Sequence, residues 1–381
     1  MEDNQHIDFW LLAVTLILAG IGLVMVYSSS MNHSMDKVGT ASFYFKKQSI
    51  HLIIGFMIMM ILTKVNYRGF ANIGTALLII GYGLLCALLF QKLLIQNIMN
   101  DGDVNRWLRI GKIAFQPSEI MKIMLIIFLA GSISKKGEKI RDFEKGFLPL
   151  ICVIIVTFGL VVIQPDLSIA GLMLMIGLYL MFIGRAKLLH LLMVVIPACA
   201  SIVFIVTKVS YMMERWDKFI SPEMGYQIKQ SIISIGSGGL FGVGLGKSTQ
   251  KYFLPELHTD FVFSIFAEEL GFIGASLLLA ATLIYVIRGL KIARQAPDMF
   301  GFLLASGLSM MIGLQVFVNI GVAIRLLPTT GMTLPFISYG GSSLVTSFIA
   351  TGILLNISKQ GNFEIRLSKE FGNRSCRKVW A

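Results

Sequence analysis

The stretch Leu254–Gly271, LPELHTDFVFSIFAEELG, passes from a polar segment into a long apolar run. Asp260 sits at the passage, and Glu268 and Glu269 follow inside the run. A charge within a bilayer costs several kcal/mol unless it is paired or used, so these carboxylates are functional candidates. Glu268 and Glu269 are sequence neighbours and point to different sides of a helix, so at least one faces the interior and needs a donor. Structural pairing is expected for both.

The rest of the chain agrees with a membrane reading. Of 381 residues, 55% are hydrophobic and 14% charged, where a soluble domain carries about 25% charged. Mean hydropathy is +0.77. The expected fold class is an all-α integral membrane protein. No basic segment precedes Phe9 and the first apolar run is long enough to span, so no cleavable signal is expected. The net charge of +12 is explained by cytoplasmic loops and anionic headgroups, and no nucleic-acid partner is expected. Cys86, Cys152 and Cys199 fall in apolar runs and Cys376 in the tail, without CxxC spacing. Neither a disulfide framework nor a redox centre is expected.

Hydropathy predicts ten spans, at approximately 9–27, 49–63, 70–90, 119–134, 146–163, 168–183, 188–206, 261–287, 300–320 and 342–357. Short turns between them carry Lys135, Lys136, Lys139, Arg141 and Lys145, then Arg185 and Lys187, then Arg288, Lys291 and Arg294. These turns share one side with both termini, which makes that side cytoplasmic. The flanks of the first span, Glu2, Asp3 and Asp8, lend this no support. The longer segments 31–48, 91–118, 208–259 and 321–341 then lie outside, and the working surface is expected there. Residues 1–358 form one ten-span domain with a large outer loop, 208–259, between spans seven and eight; residues 359–381 form a basic cytoplasmic tail. No internal repeat is evident.

Even-numbered spans start from outside, and four of their starts carry distinctive residues: Gln116-Pro117-Ser118-Glu119, Gln164-Pro165-Asp166, Thr259-Asp260 and Ser338-Tyr339-Gly340-Gly341-Ser342-Ser343. Each alone reads as ordinary capping. Together they aim several positive helix ends at one outer cavity, which suits an anion. Glu119 and Lys122 lie three apart on one helix face, either as a self-neutralising pair or as the floor of a polar cavity. Trp107 suits an interfacial belt, and Arg106 and Arg109 beside it have the fork geometry that holds phosphate.

Two tempting motifs fail. Gly242-Val243-Gly244-Leu245-Gly246-Lys247-Ser248 lacks the first glycine of a Walker A loop, since Phe241 stands there, and no strand precedes it. It is read as a flexible outer loop, and no nucleotide is expected. His258 and Asp260 have no second histidine near them, so a zinc site is not expected. A Mg²⁺ or Mn²⁺ ion held by Asp260 and substrate phosphates fits better, because such ions use one or two carboxylates plus phosphate oxygens.

These pieces resemble the SEDS family (shape, elongation, division and sporulation), with its FtsW, RodA and sporulation branches. The resemblance rests on Phe45-Lys46-Lys47-Gln48, Arg106-Trp107-Leu108, Gln116–Glu119 with Lys122, Gln164-Pro165-Asp166-Leu167, the Leu254–Phe261 block with Glu268-Glu269-Leu270-Gly271, and Leu327–Gly331 through Leu334–Ser343. Thr333, two residues after Gly331, is similar to the FtsW and sporulation branches. The resemblance implies a ten-helix glycosyltransferase that polymerises lipid II into peptidoglycan strands and releases undecaprenyl pyrophosphate. Asp260 matches the family's essential acid. Arg106, Trp107, Arg109, Glu119, Lys122, His258, Ser338, Tyr339 and Ser343 are the expected substrate-binding residues. A cognate class B penicillin-binding transpeptidase and other cell-division or elongation membrane proteins are the implied partners. A flippase for lipid-linked precursors, a RodA-type elongation polymerase and a division scaffold without chemistry are the alternative readings.

Overall fold

The computed structural model describes residues 7–96, 106–110, 113–208, 213, 219, 225–254 and 259–370. Its helices are α1 (Phe9–Val38), α2 (Phe43–Leu62), α3 (Phe70–Gln96), α4 (Pro117–Lys136), α5 (Leu148–Ile163), α6 (Leu167–Ile183), α7 (Leu188–Lys208), α8 (Tyr226–Ser237), α9 (Val262–Arg294), α10 (Met299–Ala323) and α11 (Gly341–Glu370). A small antiparallel hairpin, β1 (Leu108–Ile110) with β2 (Ile113–Phe115), precedes α4, so the fold is not purely helical. Eight helical segments are long and apolar enough to cross a membrane, and α6 and Leu188–Pro197 are shorter apolar helices. The protein is a multi-pass membrane protein.

Capping chemistry sets the helix boundaries. Asp8 caps α1 by accepting from the Leu11 amide at 2.9 Å, and Gly39 closes it at φ 71°. Pro117 opens α4, with Glu119 in the first turn and Lys135 and Lys136 in the last, which complements the helix dipole. Asp166 caps α6 and Asp298 caps α10.

The bundle has two chemically distinct ends. At one, Arg288 clamps Asp8, with Nη2 2.5 Å from Oδ2, and the Asp8 amide donates to Ser358 at 3.1 Å. Asp298 accepts there from Arg68 Nε at 2.9 Å and from the Tyr67 hydroxyl at 2.6 Å. Asp8, uninformative as a flanking charge, therefore joins α1, α9 and α11. The opposite end gathers Asp260, the starts of α4, α6 and α11, and the β hairpin.

Span eight, expected as one continuous helix, is broken. Gly271 adopts φ 68° and ψ −169° inside α9, a conformation essentially restricted to glycine. The break frees carbonyls and amides on both sides, and the glycine-rich segment 238–244 takes them up. Val243 and Gly244 amides donate to the carbonyls of Glu268 and Glu269 at 3.0 Å each, and Phe272 and Ile273 amides donate to Gly239 and Leu240 at 2.9 and 3.2 Å. A Cβ on Gly242 or Gly271 would overlap the facing backbone. The segment expected to be a flexible outer loop is thus a backbone clamp around the break. Glu268 and Glu269 lie in the short first half of α9, where every residue from Val262 to Glu269 is buried by protein.

Of the segment 321–341, expected to run over the outer surface, residues 332–340 fold back into the bundle. Met332, Leu334, Phe336 and Ile337 are all buried, and α1 passes so close that a Cβ on Gly22 would overlap the Phe336 carbonyl. Non-helical backbone at such depth is tolerated where protein satisfies its polar groups. Here the Leu334 amide donates to Ser338 Oγ at 2.8 Å, and Asn319 Nδ2 donates to the Met332 carbonyl at 2.6 Å.

Candidate active site

Hydrogen bonds join the helix starts directly. The Gln116 amide, at the start of α4, donates to Ser342 Oγ of α11 at 3.0 Å, and Gln116 Nε2 donates to Asp166 Oδ2 of the α6 cap at 2.9 Å. Ser168 Oγ donates to the Thr330 carbonyl at 2.8 Å. Ser338 Oγ donates to the Thr259 carbonyl, and Gln48 Nε2 donates to the Ser338 carbonyl at 3.1 Å. Four helix N-termini, those of α4, α6, α9 and α11, therefore converge on the segment 330–343, which is buried over most of its length from Met332 onward. The positive dipole ends of these helices favour an anion between them.

Asp260 stands at this convergence. A Cβ placed on Gly331 would lie 3.5 Å from Asp260 Oδ2 and 3.5 Å from Arg106 Nη1. Carboxylate and guanidinium therefore face each other across one glycine. Asn319 fixes the backbone of both neighbours, because its Nδ2 donates to the Asp260 carbonyl at 2.9 Å as well as to Met332. Arg106 is held in turn: Nη2 donates to the Pro165 carbonyl at 2.6 Å, and Nη1 lies 3.7 Å from Asp166 Oδ1. Burial pushes the Asp166 carboxyl up, against the pull of Arg106 beside it. Arg106 Nε is buried without a partner.

Glu119 and Lys122 form a fully buried ion pair at 2.9 Å. Lys122 Nζ also donates to Gln315 Oε1 at 3.1 Å, Gln315 reaches the Thr333 carbonyl at 3.4 Å, and Thr333 Oγ1 donates to Ser343 Oγ at 2.8 Å. The pair is thereby wired to the start of α11. The Tyr339 ring packs edge-on against Tyr44 at 5.0 Å. Trp107 is 39% exposed, as an interfacial residue would be. His258 and the side chain of Arg109 lie outside the described residues.

The two later carboxylates part ways. Glu268 accepts from Ser234 and Ser248 hydroxyls at 2.8 and 2.6 Å, from the Thr249 amide and hydroxyl at 2.9 and 3.2 Å, and from the Gln250 amide at 3.4 Å. It anchors the outer segment to α9. Glu269 accepts from Ser28 at 2.6 Å, and its other oxygen is buried without a partner. Sequence reasoning missed Asn319 and Gln315, polar residues inside an apolar span whose isolation was the available signal, and it noted Gln48 only within the Phe45–Gln48 motif.

Among the described residues no group of three or more His, Cys, Asp or Glu side chains gathers as a metal cage. Asp260 offers one carboxylate, which fits an ion that takes its other oxygens from a ligand's phosphates and from water.

A polytopic helical bundle with converging helix starts at one end defines the class of protein. The chain matches the FtsW/RodA/SpoVE family model, described as cell cycle protein, over residues 9–362. It is 37% identical over 362 residues to stage V sporulation protein E of Bacillus subtilis (strain 168), covering 93% of this chain and 98% of that protein. It is 36% identical over 365 residues to the probable peptidoglycan glycosyltransferase FtsW of Geobacter sulfurreducens, covering 94% and 96%. Its fold is similar to a chain from a peptidoglycan synthase complex (TM-score 0.73, 25% identity, covering 93% and 98%). It is likewise similar to the rod shape determining protein RodA of Thermus thermophilus (TM-score 0.66, 26% identity, covering 93% and 97%). The chain belongs to the FtsW/RodA/SpoVE family of cell cycle proteins.

Proposed function

We propose that this protein is a peptidoglycan glycosyltransferase that polymerises lipid II at the outer face of the cytoplasmic membrane. The observation that carries the reading is Asp260 facing Arg106 across Gly331, where four helix N-termini converge. A sugar hydroxyl is a poor nucleophile, and a positioned carboxylate base contributes roughly 10²–10⁴-fold. Asp260 takes the proton of the acceptor's 4-hydroxyl as its oxygen bonds to the donor's anomeric carbon. The bond from that carbon to the pyrophosphate oxygen breaks, and undecaprenyl pyrophosphate leaves. Attack opposite the leaving group turns an α-linked donor into a β-linked strand. Arg106, Lys122 and the α4, α6 and α11 starts meet the pyrophosphate charge. Arg109, Trp107, His258, Glu119, Ser338, Tyr339 and Ser343 complete the proposed substrate site. A Mg²⁺ or Mn²⁺ ion held by Asp260 and substrate phosphates would neutralise developing charge on the leaving group.

In this reading α6 and α7 complete ten spans, and both termini are cytoplasmic. The support is the gathering of Lys135, Lys136, Arg185, Arg288 and Arg294 at the end opposite Asp260. A class B penicillin-binding transpeptidase is the proposed partner, supported by the likeness to a chain of a peptidoglycan synthase complex. The test is purified protein with lipid II and Mn²⁺, with and without chelator. Asp260→Asn is expected to lower polymerisation by about 10²–10⁴-fold. Parent-level polymer from this variant would remove the base assignment, and lipid II crossing a liposome bilayer without polymer would point to a flippase.

A further inference from the structure

The end of the bundle opposite Asp260 holds a cavity of about 290 Å³ between the ends of α4 and α6 and the start of α10. That volume lies near the lower limit of small-ligand cavities, roughly 300 Å³. Ile133, Ile183 and Phe302 form its apolar floor, and Arg141, Arg185 and Glu138 stand at its mouth. Among the described residues neither guanidinium has an ion-pair partner. The nearby Asp142 does not serve them: its carboxylate accepts from the Lys145 amide at 3.0 Å and lies in the field of Lys145 and Lys187, which hold it below the usual carboxylate range.

The backbone at Arg185 is a second, independent observation. The end of α6 closes with paired bonds from the Arg185 amide to Phe182 O at 3.1 Å and from the Ala186 amide to Met181 O at 3.0 Å. This is the Schellman closure, whose left-handed position is normally glycine. Arg185 holds that position at φ 71°, while Gly184 sits one residue earlier at φ −74°. A long cation occupies the place where the backbone favours glycine, and strain of this kind concentrates at ligand sites.

We propose that this pocket binds the phosphate of an anionic phospholipid headgroup, held by Arg141 and Arg185. Basic pockets between membrane helices suit such headgroups, and two guanidinium forks match phosphate oxygens. Glu138 accepts from a headgroup hydroxyl, and the apolar floor receives the first acyl carbons. The same phosphate chemistry could come from a soluble phosphate ester, which lacks the acyl carbons. The site is independent of the reaction at Asp260.

The experiment uses full-length protein, delipidated in detergent. It is titrated with short-chain phosphatidylglycerol, short-chain phosphatidylcholine and glycerol phosphate, with bound ligand read by native mass spectrometry and stability by thermal unfolding. Phosphatidylglycerol is expected to bind and raise the unfolding temperature, and phosphatidylcholine to bind at least tenfold more weakly. Arg141→Gln/Arg185→Gln should lose roughly tenfold or more of the phosphatidylglycerol affinity. Arg185→Gly is the sharper variant: relief of backbone strain should leave lipid-free stability equal or higher while binding falls. Glycerol phosphate matching phosphatidylglycerol would keep the anion site and assign it to a soluble ligand. Equal binding of both lipids, undiminished binding by the double variant, or an Arg185→Gly protein less stable than the parent would each overturn the proposal.

Discussion

Replacing Gly271 by alanine tests the clamp that holds the first half of α9. At φ 68° and ψ −169°, a residue with a Cβ carries about 1–3 kcal/mol of backbone strain. The added carbon also meets the Gly242 nitrogen and the Leu240 carbonyl oxygen. Both are backbone atoms that no rotamer change can move aside. The segment 238–244 must withdraw, which endangers the four backbone bonds spanning the break, each worth about 0.5–1.5 kcal/mol net. Loss of one or two of them brings the expected destabilisation to about 1.5–6 kcal/mol. The control is Gly159→Ala in α5, where nothing lies within 4 Å of an added Cβ and the helical backbone should gain about 0.5–1 kcal/mol. Thermal unfolding of the two purified variants in one detergent gives the comparison. Opposite signs are expected, with polymerisation by Gly271→Ala falling alongside because Asp260 leads the loosened half-helix. A Gly271→Ala protein that unfolds at or above the parent temperature would refute the clamp.

Other outcomes follow from the same contacts. Glu268→Ala strands the Thr249 and Gln250 amides and should destabilise by at least about 2 kcal/mol, with Glu268→Gln intermediate; protease sensitivity of the outer segment reports it. Lys122→Met leaves the Glu119 carboxylate buried alone and should cost about 3–5 kcal/mol, whereas Glu119→Leu/Lys122→Met should regain most of that; equal losses in single and double variants in a denaturation series would contradict this. Arg106→Lys cannot reach Pro165 O and Asp166 together, so the KM for lipid II should rise about tenfold, measured in initial-rate polymerisation. An unchanged KM would place Arg106 outside substrate binding.

Much of the site is legible in the sequence. Pro117 and Asp166 announce helix starts by first-turn and capping chemistry, which acts within one turn and so leaves a local signature. The Glu119–Lys122 pair follows from helical spacing alone. What Asn319 and Gln315 bind is not legible, because their partners, Asp260, Met332 and Thr333, lie on other elements. The glycine-rich run 242–248 misleads for the same reason: backbone exposed by glycines signals close approach, and the sequence does not say to what.

By itself, then, the amino-acid order determined the medium, the apolar spans, the short basic turns, and the turn where Asp260 sits. Those properties come from composition, period and capping, all short-range. Tertiary structure alone decided that span eight breaks at Gly271, that 332–340 returns to the interior, and that Arg106 meets Asp260 across Gly331. Each depends on backbone polar groups finding partners far away along the chain. In an apolar surrounding an unsatisfied amide or carbonyl is costly enough to dictate where the chain must go.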